Sequence, residues 1–130
     1  MLYLDSSATL KMVREEAGSS ELAAFLEGAD DALVTSRVGV VELRRVARRG
    51  GASADRADAL ASALGIVELD DLVEGIAVSL APELRALDAI HLASALALGE
   101  ALRGFVCYDE RLATAAARER LRVIAPGADA

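Results

Sequence analysis

This chain is poor in the residues from which many functional sites are built. Its one cysteine, Cys107, cannot form an intrachain disulfide and fits the reducing cytosol. Its one histidine, His91, rules out metal-free RNA cleavage by a histidine pair, and one Cys with one His cannot make a structural zinc site. The sole lysine, Lys11, lies near the start, whereas a phosphoacceptor receiver domain would need one at the end of a late strand. There is no P-loop, no GxGxxG and no GxSxG elbow, which argues against phosphate-cradling loops and serine hydrolysis. No apolar run reaches the length of a membrane span. Met1 to Asp5 lacks the basic and long apolar regions of a signal peptide, so no membrane role is expected.

What is present points to one domain over residues 1–130, with only the last four residues frayed. The hydrophobic fraction of 54% is high for a soluble monomer. Much of it is alanine, and the remaining excess suggests apolar surface covered by a partner or a second copy. The net charge of −7 argues against a general polyanion binder but leaves open an enzyme acting on RNA. Arg44, Arg45, Arg48 and Arg49 are clustered and have two readings, an RNA phosphate track or a solvated helix face. The excess of arginine over lysine reads as genome composition.

Strand-like and helix-like runs alternate. Strands are expected at 2–4, 32–35, 65–69, 105–108 and 122–125. Helices are expected from about Ala8 behind the capping residues Asp5, Ser6 and Ser7, then at 21–27, at 38–49 with Ser36 as cap, and at 54–64. Further helices are expected from Asp70 or Asp71 to about Ala81, at 87–98, and at 111–118. Gly28, Gly50-Gly51, Pro82 and Gly99 supply the stops. The alternation predicts βαβ units and a parallel sheet covered by helices on both faces. The strands are short and continuously apolar, as buried parallel strands are.

Four acids stand out against this frame: Asp5, Glu42, Asp88 and Asp109. Asp5 and Asp109 each follow an apolar strand, and parallel strands carry such residues to one edge, where ligands bind in open α/β sheets. Glu42 lies between Val38 and Val46 on a helical wheel and faces partly inward. Asp88 shares a helix face with Leu84, Leu92 and Leu96. Each also has an ordinary reading: Asp5 as a helix cap, Glu42 paired with Arg45, Asp88 as a helix-dipole partner, Asp109 as a turn residue. Together they fit one sheet edge. Two carboxylates ~5 Å apart repel by roughly 3 kcal/mol at an effective dielectric of about 20. Such a cluster either takes up protons or binds a cation. Oxygen-only donors favour Mg²⁺ or Mn²⁺ over zinc, and the chemistry such an ion supports is phosphodiester hydrolysis.

Three other side chains are open to two readings each. His91, one turn after Asp88, is read chiefly as a packed histidine bonded to backbone, with a proton relay or substrate contact as the alternative. Cys107, inside an apolar strand, is expected to be buried and inert. Tyr108 is read as packing, with base stacking as its alternative.

The segment Leu84-Arg85-Ala86-Leu87-Asp88-Ala89-Ile90-His91-Leu92-Ala93-Ser94-Ala95 resembles the "LDAIHLASA" signature of PIN-domain toxins of the VapC type. Leu4-Asp5-Ser6-Ser7-Ala8 resembles that family's opening "DTSA" motif, and Val41-Glu42-Leu43 its helical "E" motif. Tyr108-Asp109-Glu110-Arg111-Leu112, followed by Ala115-Ala116, resembles its "YDxRL…AA" motif. The motifs occur in the family's order along essentially the whole chain, and the Asp88 segment is the most specific of them.

The resemblance implies a three-layer α/β/α sandwich with a mainly parallel sheet of about five strands. It implies a ribonuclease toxin of a type II toxin–antitoxin pair, in which Asp5, Glu42, Asp88 and Asp109 hold one or two Mg²⁺ or Mn²⁺ ions. Metal-activated water would then attack phosphorus and leave a 5′-phosphate and a 3′-hydroxyl. Ser7 matches the small hydroxyl residue that supports the first aspartate. A VapB-type antitoxin that wraps a hydrophobic groove, often inserting a basic side chain at the acids, and a homodimer are also implied. Cys107 departs from the family, which often has Thr or Ser there, so the hydroxyl contact is lost or replaced. A competing reading is a PIN-like binding module that acts through protein contacts and cuts poorly.

Overall fold

The computed structural model describes residues 1–128. Its organising element is the first strand, β1 (Leu2–Leu4), whose three side chains are all fully buried. Side chains alternate across a strand, so Leu2 and Leu4 serve one face of the sheet and Tyr3 the other. β1 pairs in parallel with β2 (Leu33–Ser36) on one side and β4 (Gly104–Val106) on the other, aligning Tyr3 with Val34 and with Phe105. β3 (Gly65–Val67) and β5 (Val123–Ile124) complete a five-stranded, all-parallel sheet in the order β3-β2-β1-β4-β5.

Among the described residues, seven helices make the crossovers. α1 (Ser6–Val13) and α2 (Ser19–Glu27) link β1 to β2, and α3 (Arg37–Arg48) and α4 (Ala54–Ala63) link β2 to β3. α5 (Asp71–Ser79), α6 (Ala86–Leu96) and a short 3₁₀ turn lead into β4, and α7 (Glu110–Arg118) leads into β5. On one face Leu2, Leu4, Val106 and Ile124 pack with Ala8 of α1 and Leu22 and Leu26 of α2. On the other, Tyr3, Val34 and Phe105 pack with Leu92 and Ala95 of α6 and Leu112 and Ala116 of α7. A third cluster ties α1 to α3 and α4 through Val13, Val40, Leu43, Ala57 and Ala61. The result is the expected α/β/α sandwich. No helix among the described residues is long and apolar enough to cross a membrane.

Element identities agree with the sequence reading, but several boundaries move. α1 starts two residues before Ala8, because Asp5 alone is the cap and Ser6 and Ser7 lie inside the helix. α2 starts at Ser19 rather than Glu21, behind Gly18 in the left-handed region at φ 90°, where glycine carries no Cβ penalty. Of the two capping candidates for α5, Asp70 takes the role, its carboxylate accepting from the Val73 N–H at 2.9 Å. α5 ends at Ser79 and α6 at Leu96, each two residues short of expectation. β4 stops at Val106 rather than Tyr108: the Cys107 N–H still bonds the Ile124 carbonyl at 3.1 Å, but the Tyr108 N–H turns away to Ser7 Oγ. Of the four residues expected to fray, Ala128 closes a turn onto the Ala125 carbonyl at 3.0 Å, while positions 129 and 130 lie outside the described residues.

Gly104 marks the tightest contact between β4 and its neighbours. A Cβ there would collide with Ile124 Cδ1 and sit 3.3 Å from Leu2 Cδ2. The Ile124 end group can turn aside at the cost of an unfavourable rotamer, so Gly104→Ala is expected to destabilise the fold by about 1 kcal/mol, read as a lower denaturation midpoint with an unchanged denaturant slope.

Candidate functional site

In the strand order β3-β2-β1-β4-β5 the winding reverses between β1 and β4. Open parallel sheets form a crevice beyond the carboxyl ends of the strands at such a point. The chain leaves β1 at Asp5 and leaves β4 through Cys107, Tyr108 and Asp109, so both exits border this crevice.

Asp5 is 3% exposed and caps α1. Its Oδ1 accepts from Ser7 Oγ at 2.6 Å and from the Ala8 N–H at 3.1 Å, and its Oδ2 accepts from the Cys107 thiol at 3.2 Å. Burial pushes its carboxyl above the ordinary range, and the bonds from Ser7, Cys107 and Ala8 offset this only in part. Ser7 Oγ also accepts the Tyr108 N–H at 2.8 Å, so the residue expected to support Asp5 also ties it to the exit of β4. Cys107 is buried as expected, but it is not a bystander, because its thiol also lies 3.5 Å from the Asp109 carbonyl. Burial and the nearby Asp5 charge push that thiol far up, so it remains protonated and a donor.

Glu42 projects from the second turn of α3. Its Oε1 accepts from Ser6 Oγ at 2.5 Å and from His91 Nε2 at 2.7 Å, and there is no pairing with Arg45. Burial alone would raise the Glu42 carboxyl, but the bonds from His91 and Ser6 outweigh it and hold the group below its ordinary range. His91 is 1% exposed, so it is packed as expected; its partners, however, are side chains and not backbone. Nδ1 meets the Tyr3 hydroxyl at 2.7 Å and Nε2 is also 3.0 Å from Ser6 Oγ. Ser6 and Tyr3 are thus site residues that sequence reasoning missed. The available signal was Tyr3 itself, since a buried tyrosine needs a partner for its hydroxyl.

Asp88 lies in the first turn of α6, one turn before His91, and Arg85 Nε donates to its Oδ2 at 3.4 Å. That guanidinium is largely exposed, so the bond is weak. Asp88 borders a groove of about 560 Å³ between the approach to α6 and α7, with Leu80, Leu84 and Leu92 among its apolar lining and Arg111 and Arg118 on its α7 side. Asp109 caps α7, its Oδ1 accepting from the Leu112 N–H at 3.0 Å. Tyr108 packs: its hydroxyl donates to the Pro126 carbonyl at 2.7 Å and Lys11 Nζ lies 4.4 Å from its ring centroid. In the arginine cluster, Arg44 is tied to Asp58 on the exposed face of α3.

The contacts form two linked sets: Asp5 with Ser7, Cys107 and the backbone of Asp109, and Glu42 with Ser6 and His91. Among the described residues, no three His, Cys, Asp or Glu side chains are drawn together as a metal-holding group. The donor set nonetheless suits a hard divalent cation, being all carboxylate oxygen with one member, Asp5, almost fully buried.

A family model described as PIN domain matches residues 2–118. Ribonuclease VapC47 of Mycobacterium tuberculosis is 38% identical over 134 aligned residues, covering 98% of each chain. Ribonuclease VapC46 of the same species is 39% identical over 127, covering 96% of this chain and 97% of that one. Among solved structures, FitAB bound to an IR36 DNA fragment superposes with a TM-score of 0.73 at 18% identity, over 97% of this chain and 95% of that one. M. tuberculosis VapC20, a sarcin-ricin loop cleaving toxin, gives 0.70 at 18% identity, over 88% and 95%. The structural likenesses speak for the fold. With its parallel sheet and acidic crevice, the chain belongs to the PIN-domain family. Within that family it falls among the VapC proteins, which it matches nearly end to end.

The raised carboxyl of Asp5 has a consequence of definite sign. A carboxyl whose folded pKa lies above its unfolded value favours folding when protonated; that contribution is complete below the unfolded value and is lost as pH rises through the folded one. Asp5→Asn carries no charge at any pH and escapes this loss. In a metal-free chelating buffer, the melting temperature of the variant should gain on that of the parent as pH rises from about 4 to about 8. A difference independent of pH would contradict the raised carboxyl.

Proposed function

We propose that this protein, acting as a single domain, is a metal-dependent endoribonuclease and the toxin of a type II toxin–antitoxin pair. The observation that carries the reading is the buried Asp5 carboxylate at the β1/β4 crevice of a chain that matches VapC ribonucleases nearly end to end. The half-buried acids Glu42, Asp88 and Asp109 lie on, or in the case of Asp109 cap, helices whose N-terminal ends face the same sheet edge.

In this reading Asp5, Glu42, Asp88 and Asp109 hold Mg²⁺ or Mn²⁺, consistent with the family's general dependence on a divalent cation. When bound, the ion supplies an activated water and neutralises charge during in-line displacement at phosphorus, leaving a 5′-phosphate and a 3′-hydroxyl. The chain's own residues prepare the site. Ser7, the Ala8 N–H and Cys107 fix both oxygens of Asp5. Ser6 and His91 fix Glu42, and the N-terminus of α7 fixes Asp109. The groove beside Asp88 offers apolar lining and the guanidinium groups of Arg85, Arg111 and Arg118, set among Glu83, Glu110 and Glu119, so a polyanionic strand there would depend on the arginines and on cations held by the acids.

A VapB-type antitoxin and a second copy of the chain are the protein partners proposed, and the cytoplasm is the proposed location. Leu69, Leu72, Val78 and Leu87, exposed on and around α5 and α6, support a protein partner. The alternative, a binding module that cuts weakly, draws on the fact that the four carboxylates are engaged by separate neighbours instead of meeting at one point.

Induced expression of the wild type should arrest growth and produce new RNA 5′-phosphate ends, and Asp88→Asn should abolish both. With purified protein, chelation should stop cleavage and added Mg²⁺ or Mn²⁺ should restore it. Arrest that persists in Asp88→Asn without cleavage would favour the binding module.

A further inference from the structure

We propose that His91 is a positioning residue for the nuclease site: its Nε2–H locks the Glu42 carboxylate, while the Tyr3 hydroxyl locks the imidazole at Nδ1. The inference rests on the nuclease reading above and gives a part in it to a side chain that is too buried, at 1% exposure, to meet RNA.

The hydrogen-bond directions follow from the partners. A carboxylate only accepts, so at 2.7 Å from Glu42 Oε1 it is His91 Nε2 that carries the proton. Ser6 Oγ donates to the same carboxylate oxygen, which leaves its lone pairs facing Nε2–H at 3.0 Å. The other ring nitrogen meets the Tyr3 hydroxyl at 2.7 Å, and a hydroxyl can donate to a neutral ring or accept from a charged one, so the contact holds in either state. These contacts place a proton on Nε2 and fix the orientation of the ring.

Tyr3 is itself immobilised. It lies in the central strand, stacks on Phe105 with ring centroids 5.5 Å apart at 10°, and meets His91 edge-on at 5.8 Å. The other side of the pocket is closed by α3, and Gly39 permits the approach. A Cβ at Gly39 would collide with Thr35 Oγ1 and stand 3.1 Å from His91 Cε1. Glu42 follows Gly39 by three residues, so both lie on the face of α3 turned toward α6. An apolar side chain at position 91 would fill the same space without having to satisfy two ring nitrogens. What a histidine adds is a fixed donor for Glu42, a long side chain otherwise free to change rotamer at the mouth of the crevice.

The test compares Mn²⁺ binding to the full chain, followed by electron paramagnetic resonance of the free ion, in the wild type, His91→Leu, His91→Gln, Tyr3→Phe, Glu42→Gln and Asp5→Asn. Metal-free melting temperatures are measured alongside. Groups that orient metal ligands typically change affinity 10–100-fold when removed, and His91→Leu should weaken Mn²⁺ binding by about tenfold or more. His91→Gln retains an N–H that can reach Glu42 and should recover most of that loss. Tyr3→Phe keeps the stack on Phe105 and should show a smaller loss. Equal impairment of the Leu and Gln variants, in step with their melting temperatures, would overturn the inference and leave His91 as packing. If Glu42→Gln weakens binding while His91→Leu does not, the positioning role alone fails. If neither Glu42→Gln nor Asp5→Asn affects Mn²⁺ binding, the metal-site reading fails and takes this inference with it.

Discussion

An ionisable carboxylate has to be kept in a place with almost no water, and much of the structure around the crevice is arranged to allow it. Asp5 lies immediately beyond the central strand and is 3% exposed. No cationic side chain forms an ion pair with it among the described residues, and its bonds come from a hydroxyl, a backbone N–H and a thiol. These donors compensate burial incompletely, so the carboxyl rises. An isolated buried charge is normally eliminated from a fold or neutralised. A buried carboxylate at a switch point, in a PIN domain, is what singles this crevice out as the candidate site.

Donor chemistry around the acids is graded. Cys107 offers Asp5 a thiol, a weaker donor than a hydroxyl and a longer one, at 3.2 Å. The expected hydroxyl contact at this position is therefore replaced rather than lost. Ser7 compensates with a 2.6 Å bond to the other carboxylate oxygen and holds the Tyr108 N–H at the same time. Glu42 is treated in the opposite way, with two strong donors on one oxygen and a depressed carboxyl. Two acids bordering one crevice are thus pushed in opposite directions by their surroundings, a pattern found where carboxylates do different work.

Local chemistry was legible in the sequence. Asp5, Ser36 and Asp70 could be read as helix caps because capping needs only a side-chain oxygen and the N–H three residues on, and each makes that bond. The parallel sheet followed from short apolar runs alternating with helices. The inward tilt of Glu42 followed from its place on the wheel between Val38 and Val46. Illegible were contacts between elements distant in the chain. Nothing local to α6 reveals that His91 lies across from Tyr3, 88 residues away, so a backbone partner was the expectation and a tyrosine, a serine and a glutamate are the partners found. Likewise the arm of Asp88 could be assigned to a face of α6, but not its bond to Arg85, which depends on how the chain enters that helix.

The pairing of β1 with β4 has a consequence for how the protein is made. Asp5 leaves the ribosome well before the thiol that meets its carboxylate, which belongs to a residue 102 positions later. The central strand cannot gain its second neighbour, nor the crevice its far wall, until β4 has been translated. Contacts of such long range also slow folding once translation ends, because the chain entropy of closing the loop is lost before the pairing stabilises anything. A polypeptide interrupted before β4 carries Asp5, Glu42 and Asp88 but lacks the far wall of the crevice, so the order of elements along the chain delays assembly of the crevice until β4 has been made.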